Sequence, residues 1–277
     1  HDGGAVDIGG YSGASISELF LAGFLPGVLI ALCLMVYSYI YCKIHGEDKD
    51  KLNAKCMELR AKGLGTVLKE GFWALMSPVI ILGGIYGGIC SPTEAATISI
   101  FYSLIVSLFI YRTIKIRDLP KIMLEGIHSY APILIILSAA VAFARVITLM
   151  NVATIVSEAV LSAISSKVVI LLLINVLLLF VGMIMDTGPA ILVFTPVLLP
   201  VAEAIGVDPI HFGIIMCVNL AIGFVTPPMG ANLFVASNLS KVSVFDIARK
   251  AVPFILAFLI ALLLITFVPQ ISMFLLQ

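Results

Sequence analysis

Two short segments of the chain combine oxygen-bearing side chains with residues that interrupt a helix. Segment 182–189 reads GMIMDTGP, and segment 223–232 reads GFVTPPMGAN. Proline removes a backbone donor and glycine weakens a helix interior, so we expect both segments to break apolar helices. A break frees backbone carbonyls, which suit a hard cation such as Na⁺, and backbone amides, which suit an anion. The two segments therefore predict a site for ions.

The first segment carries a lone carboxylate. Asp186 and Thr187 can cap a second half-helix there, and Pro189 suits the first turn of that helix. A carboxylate at membrane depth is costly and is a functional candidate by default. The structural alternative is that the prolines are simple kinks and that Asp186 lies at an interface.

The second segment contains two consecutive prolines, Pro227 and Pro228. We expect the carbonyls of roughly residues 223–226 to lose their partners, and a half-helix to begin near Pro228 with free amides. Secondary transporters place substrate and ion sites where such discontinuous helices meet. A membrane scaffold without transport function would not need two oxygen-rich breaks.

The overall composition indicates an integral membrane protein. Hydrophobic residues make up 61% of the 277 residues, charged residues make up 12%, and the mean hydropathy is +1.17. Soluble domains are nearer about 25% charged, and a globular core could not bury this much apolar surface. The formal net charge is zero, so no basic footprint for nucleic acid is present.

Apolar stretches predict the helices that carry the two breaks. Residues 152–164 are amphipathic and predicted to be interfacial, and residues 190–202 are apolar but too short to span a bilayer. The other apolar stretches are predicted as membrane-embedded segments: 19–41, 72–89, 95–111, 127–150, 168–185, 212–238 and 252–276.

Basic residues predict the path of these segments. Fourteen of the sixteen lie in three polar loops, 43–69, 112–121 and 241–250, and positive loops stay in the cytoplasm. An even number of crossings must then separate the last two loops. Residues 168–202 must contribute none, which predicts a re-entrant hairpin that enters and leaves on the outer side with its tip near Asp186.

The same residues resemble a known family. Asp186–Pro189, the segments DPIHFG (208–213) and TPPMGANLFV (226–235), and the pair GGIYGG (83–88) and SPTEAA (91–96) are similar to the large permease subunit of TRAP transporters, the tripartite ATP-independent periplasmic transporters. Segment 16–23, ISELFLAG, resembles the end of that subunit's first half. The resemblance runs from about Ser15 to the end of the chain.

The resemblance implies an ion-transporter-type fold of two inverted repeats, each with a re-entrant hairpin and a broken helix. Because the chain begins at His1 without a signal peptide, we expect a fragment that lacks the first repeat. The implied organisation is 1–43, the tail of the first repeat with its closing helix; 44–70, a cytoplasmic amphipathic linker; 71–166, the scaffold and arm helices of the second repeat; 167–204, the re-entrant hairpin; 205–240, the broken helix; and 241–277, a cytoplasmic turn and the last membrane helix.

The resemblance also implies a function: Na⁺-driven, elevator-type uptake of organic acids, such as C4-dicarboxylates or sialic-acid-like carboxylates, in the bacterial inner membrane. Its implied partners are a small membrane subunit and a periplasmic binding protein, with no cofactor besides Na⁺ as coupling ion. The implied Na⁺ ligands are the backbone of Gly182, Gly223, Thr226 and Met229. The residues implied beside ion and substrate are Asp186, Thr187, Gly188, Pro189, Pro227, Pro228 and Asn232.

Two further charged residues are candidates for contacts with substrate or the binding protein. Arg145 departs from the family pattern, where an uncharged residue is usual; it either snorkels to the outer interface or faces substrate or binding protein. Glu94 either favours a helix N-terminus behind Pro92-Thr93 or serves docking.

Rival classes remain open. No GxGD, GxSxG, HExxH or Walker A motif occurs, which argues against an intramembrane protease, a zinc hydrolase or an ATP-driven pump. A stand-alone sodium:dicarboxylate symporter of related fold is the nearest alternative, and a membrane scaffold is a further one. The sequence does not distinguish which organic acid is carried.

Overall fold

The computed structural model describes residues 15–46, 53, 56–57, 63–228 and 230–276, and every regular element within these ranges is helical. A π-helical turn, Val106–Ile110, follows the helix that ends at Ile105, and a 3-10 turn, Ile116–Asp118, precedes the helix that begins at Leu119. The helices in chain order are α1 (Ile16–Ala22), α2 (Phe24–His45), α3 (Leu64–Tyr86), α4 (Pro92–Ile105), α5 (Leu119–Leu149), α6 (Val152–Ala163), α7 (Lys167–Ile184), α8 (Thr187–Ala204), α9 (Pro209–Gly223), α10 (Ala231–Ser240), α11 (Val244–Phe267) and α12 (Gln270–Met273).

Within the described residues, six helical stretches are long and apolar enough to cross a membrane. Many of their large apolar side chains are exposed in the isolated chain, as expected of helices whose solvent is lipid. The all-α membrane class predicted from composition is therefore confirmed. The six stretches are Ile16–Ile44, Pro92–Ile110, Ile116–Leu149, Lys167–Ile184, Thr187–Ala204 and Val244–Phe267.

Two predicted segment lengths are wrong. The stretch 190–202 was expected to be too short to span, but α8 has 18 residues, because Asp186 caps it and a polar first turn is helical. The last span was expected at 252–276, but α11 begins at Val244, because Ser243 Oγ accepts a hydrogen bond from Asp246 N at 3.2 Å. By length, α7 and α8 are both able to cross a membrane, so the re-entrant path stays a prediction.

The chain divides into two compact units, His1–Ser17 with Ser38–Ser129, and Glu18–Tyr37 with Tyr130–Gln277. In the first unit α3 packs against α4, and the Tyr102 hydroxyl donates to the Trp73 carbonyl at 2.7 Å. Both interrupted segments lie in the second unit.

Helix α9 is the centre of the second unit. It packs against α7, α8 and α11, and ten of its fifteen residues are buried. A helix that is apolar on all sides is stable only inside protein or lipid. Here the surrounding helices bury it in two clusters, one with α7 and α8 around Phe212 and Leu220 and one with α11 around Ile214 and Leu262. This buried helix ends at the second interrupted segment.

Candidate functional site

The ends of α7 and α9 meet at two glycines. A Cβ added to Gly223 would overlap the carbonyl oxygen of Gly182 and lie 2.7 Å from the Gly182 Cα. A Cβ added to Gly182 would lie 3.1 Å from the Leu220 Cα. The two backbones therefore touch without intervening side chains. This contact brings together Gly182 and Gly223, which are 41 residues apart in the sequence and were both predicted to belong to one ion site.

The turn between α7 and α8 exposes a carboxylate and buries a hydroxyl. Asp186 is the N-cap of α8, and its Oδ1 accepts a hydrogen bond from Thr187 N at 2.8 Å, as predicted for this segment. Thr187 Oγ1 is buried and has no hydrogen-bond partner within the described part of the chain. A buried hydroxyl without a partner costs about 1–3 kcal/mol. This hydroxyl is therefore a group that a ligand at the tip could satisfy.

One side chain of α5 lies close to the tip. A Cβ on Gly188 would lie 3.3 Å from Leu137 Cδ2, and Pro189 is buried in the first turn of α8. Because Leu137 Cδ2 is the end of a flexible side chain, a small side chain at position 188 requires only a small movement of that methyl group.

The segment after α9 is a compact turn. Its carbonyls were expected to lose their partners, and this is wrong for three of them: Gly223 O accepts from Thr226 N at 3.1 Å, Phe224 O from Asn232 N at 3.0 Å, and Thr226 O from Gly230 N at 3.2 Å. Local turn bonds replace the helical ones because an unpaired buried carbonyl is costly. Each oxygen keeps a second lone pair, so cation binding stays compatible with this geometry.

The second half-helix starts later than expected. It was predicted to begin near Pro228, but α10 begins at Ala231, because the turn continues to Gly230, whose amide donates to Thr226 O at 3.2 Å. Asn232 is exposed, as are both prolines. Met229, one of the expected Na⁺ ligands, lies outside the described residues.

The Thr226 side chain is bound to its own helix. Its hydroxyl donates to the Ile222 carbonyl at 2.8 Å and is partly buried. The hydroxyl oxygen still has free lone pairs toward the turn. No hydrogen bond joins Thr226 to Asp186 or Thr187 among the residues described.

The two charged candidates lie apart from these breaks in sequence. Arg145 is exposed one turn from the end of α5, which fits a snorkelling position. Glu94 accepts hydrogen bonds from Ser91 N at 2.8 Å and Ser91 Oγ at 2.9 Å, so its expected role at the helix start is confirmed. The cap is Ser91, rather than Pro92-Thr93. Docking by either residue stays a prediction.

Sequence reasoning missed a buried polar network in the second unit. The Asn219 amide donates to Asn175 Oδ1 at 2.6 Å, and the Asn175 amide donates to Thr266 Oγ1 at 3.1 Å. His211 Nδ1 lies 2.6 Å from Ser272 Oγ, and its Nε2 lies 3.4 Å from the Thr266 carbonyl. All five residues are at most 3% exposed.

The network links α7, α9, α11 and α12. His211 is buried among these helices. A visible signal was the single asparagine in each of two mostly apolar helices, although the sequence gives no sign of their pairing. Asn219 precedes Gly223 by one turn, so the network lies directly beside the crossing of α7 and α9.

Comparison with known proteins identifies the relatives of this chain. The family model described as Tripartite ATP-independent periplasmic transporter, DctM component, matches residues 4–271. The chain is 44% identical over 264 residues to the isethionate TRAP transporter permease protein DctMQ of Oleidesulfovibrio alaskensis. The aligned region covers 94% of this chain and 40% of that protein.

Two further relatives are named for different substrates. The C4-dicarboxylate TRAP transporter large permease protein DctM of Pseudomonas aeruginosa is 37% identical, over 94% of this chain and 59% of that protein. The sialic acid TRAP transporter large permease protein SiaM of Vibrio cholerae is 34% identical, over 95% of this chain and 60% of that protein. The chain thus spans about half the length of the curated relatives it matches. With a family match over nearly its whole length and helices suited to a bilayer, this multi-pass membrane chain belongs to the DctM component family of tripartite ATP-independent periplasmic transporters.

Proposed function

We propose that this chain supplies the second repeat of a TRAP transporter large subunit, which takes up an organic acid together with Na⁺ by an elevator-type movement. The observation that supports this most strongly is the contact of Gly182 with Gly223. It joins the ends of two interrupted helices through their backbones, and secondary transporters place substrate and ion sites where discontinuous helices meet. The matching first repeat would complete the transport site.

The proposed Na⁺ ligands are backbone oxygens at this crossing. Gly182 and Gly223 bring two main chains together, Thr226 adds a carbonyl and a hydroxyl, and Met229 is the fourth proposed contributor. Hard cations prefer such oxygen ligands. The Asp186 carboxylate, two residues beyond the end of α7, would lower the electrostatic cost of bringing a cation into this region.

The proposed anion site is the start of α8. Of the first four residues of α8, Pro189 has no N–H, and the amides of Thr187 and Ala190 already donate to Asp186 Oδ1 at 2.8 Å and to Asp186 O at 3.1 Å. The Gly188 amide and the buried Thr187 hydroxyl, which has no hydrogen-bond partner among the described residues, remain at this positively polarised helix end. We propose that these groups bind a carboxylate or sulfonate of the substrate. The relatives named for isethionate, C4-dicarboxylates and sialic acid all bear names of organic anions. The other residues proposed beside the substrate are Gly188, Pro189, Pro227, Pro228 and Asn232.

The proposed partners are a small membrane subunit and a periplasmic binding protein, in the bacterial inner membrane. The chain would act as a permease and not as an enzyme. A stand-alone symporter of related fold would take up its substrate without a binding protein. Omitting the binding protein from a reconstituted system therefore separates the two: we expect uptake to stop, whereas a stand-alone symporter would continue.

Thr226→Ala is expected to raise the Na⁺ concentration needed for half-maximal uptake by at least about threefold, roughly 0.65 kcal/mol of lost ion binding. The variant removes the hydroxyl beside the proposed cation, while the Ile222 carbonyl keeps its hydrogen bond from Val225 N at 3.1 Å. Na⁺ titrations of uptake in proteoliposomes measure this. Thr226→Ser should retain wild-type behaviour. Thr148→Ala is the matched control, because Thr148 makes the same bond to Ala144 O at 2.9 Å on α5; an unchanged Na⁺ dependence in Thr226→Ala would refute the role.

Asp186→Asn is expected to lower uptake by about tenfold, equal to about 1.4 kcal/mol, with little loss of stability. Asparagine keeps the side-chain oxygen that caps α8 and removes only the charge. The control is Asp208→Asn, because Asp208 Oδ1 caps α9 by accepting from Ile210 N at 2.8 Å. Uptake and thermal unfolding of both variants are compared at equal protein levels. Wild-type uptake by Asp186→Asn would show that the charge has no part in transport.

A further inference from the structure

A short basic loop connects two of the helices that are able to cross a membrane. The stretches Pro92–Ile110 and Ile116–Leu149 are separated by residues 111–115 only. An extended chain advances at most about 3.6 Å per residue, so the loop stays close to the ends of both helices. Its side chains therefore lie at the depth of the lipid headgroups.

The backbone of this loop forms a wide turn. Tyr111 N donates to Val106 O at 2.8 Å, Thr113 N donates to Ser107 O at 3.0 Å, and Arg112 has a φ of 52°. The turn encloses a concave space of about 530 Å³. Its lining includes Leu108, Phe109, Arg112, Lys115, Ile116 and Arg117.

The charge of this cavity is positive, and the part of the chain that the structure describes places no acidic residue in its lining. Arg112, Lys115 and Arg117 form no ion pair with any other residue that the structure describes, whereas Lys121, one turn further on, lies 3.9 Å from Glu125. Asp118 is the one acidic residue in segment 108–118, and its Oδ2 already accepts a hydrogen bond from Lys115 N at 3.1 Å. Three cationic side chains thus surround a cavity with no carboxylate in its lining.

Apolar side chains form the rest of the cavity wall. Phe109 is 67% exposed and Ile116 is 72% exposed, and each belongs to one of the two helical stretches that flank the loop. A small soluble anion would gain nothing from these two side chains. An anion that carries acyl chains would contact them while its phosphate reaches the three cations.

We propose that this cavity binds the headgroup of an anionic phospholipid, with Arg112, Lys115 and Arg117 on its phosphate and Phe109 and Ile116 against the start of its acyl chains. Basic pockets at the membrane surface attract anionic lipids in proportion to the number of cations. Planar guanidinium groups add bidentate hydrogen bonds to phosphate. The site is independent of the transported substrate and of the coupling ion.

The test compares lipid binding by two variants of the whole permease as its gene encodes it. Native mass spectrometry titrates the detergent-purified protein with phosphatidylglycerol and with phosphatidylcholine. The test variant is Arg112→Gln/Lys115→Gln/Arg117→Gln. The control is Arg249→Gln/Lys250→Gln. It removes two cations from another cavity, of about 750 Å³, whose lining also includes the carboxylate of Asp246.

The wild-type protein should bind phosphatidylglycerol in preference to phosphatidylcholine, and the triple variant should bind it at least about tenfold more weakly. The control should stay within about twofold of wild type. Equal losses in both variants would show non-specific attraction and overturn the proposal. Full competition by inorganic phosphate would also overturn the proposal, because the site would then bind a free anion. Unchanged lipid affinity in a triple variant that no longer copurifies with a membrane partner would overturn it too, because the cations would then bind that partner. Thermal unfolding of each variant without added lipid confirms that the proteins compared are folded.

Discussion

Gly223→Ala is expected to abolish Na⁺-driven uptake and to destabilise the protein. The added methyl would overlap the Gly182 carbonyl, and this obstacle is main chain, so no side-chain rotation relieves it. Both residues are buried, and α7 and α9 must therefore separate locally. Overpacking of this kind costs about 1–3 kcal/mol. A shift of about 1 Å in the proposed Na⁺ ligands would also prevent a close-fitting set of oxygens from forming.

Matched glycine variants separate this effect from a general effect of alanine. Gly27→Ala on α2 should be neutral, because nothing lies within 4 Å of its Cβ position. Gly182→Ala should be intermediate, because its nearest neighbour, the Leu220 Cα, is 3.1 Å away. Uptake in proteoliposomes and unfolding in detergent give the order expected: Gly223→Ala worst, Gly182→Ala next, Gly27→Ala at wild-type level. Wild-type uptake by Gly223→Ala would show that close backbone contact is not needed for transport.

Asn219→Leu is expected to destabilise the protein by about 1–3 kcal/mol, because it leaves Asn175 Oδ1 buried without the donor that now lies 2.6 Å away. Interhelical hydrogen bonds in membrane proteins contribute about 0.6 kcal/mol on average. The variant also removes Asn219 Oδ1, which is itself buried without a hydrogen-bond partner among the described residues, so we expect the loss at the lower end of this range. The measurement is reversible unfolding in mixed micelles.

The double variant Asn175→Leu/Asn219→Leu distinguishes these two contributions. Removing both partners leaves no unpaired amide between α7 and α9, and Thr266 Oγ1 keeps its bond to Leu262 O at 2.8 Å. We therefore expect the double variant to be less destabilised than the sum of the two single variants. Asn238→Leu, at an exposed position on α10, should have little effect. Strict additivity of the two single variants would contradict a direct Asn175–Asn219 interaction.

The elements around the site were largely predictable because their signals are local. Proline, glycine and capping side chains act within a few residues, so the turn at Asp186 and the end of α9 at Gly223 could be placed from sequence. The length of α8 was underestimated because only its apolar run, 190–202, was measured, although the predicted cap at Asp186 already places the start of the helix at Thr187.

The tertiary contacts of the site were less predictable. A glycine in an apolar helix has several meanings, and only the fold shows that Gly182 and Gly223 touch. The partner of Asn175 lies 44 residues later, and His211 is buried by residues more than 50 positions away. At the second break, local rules predicted free carbonyls, whereas a tight turn returned amides to three of them. Pairing between distant segments decides each of these features.

The most direct test of an ion-coupled transport site at the Gly182–Gly223 crossing is Na⁺-dependent uptake by the reconstituted permease. The whole permease, its small subunit and its binding protein would be placed in liposomes with an organic acid substrate, and an inward Na⁺ gradient would be compared with an equal K⁺ gradient. We expect accumulation with Na⁺ alone, and its loss in Gly223→Ala while Gly27→Ala transports normally. Equal accumulation with K⁺, or normal Na⁺-driven uptake by Gly223→Ala, would contradict a Na⁺ site at this crossing.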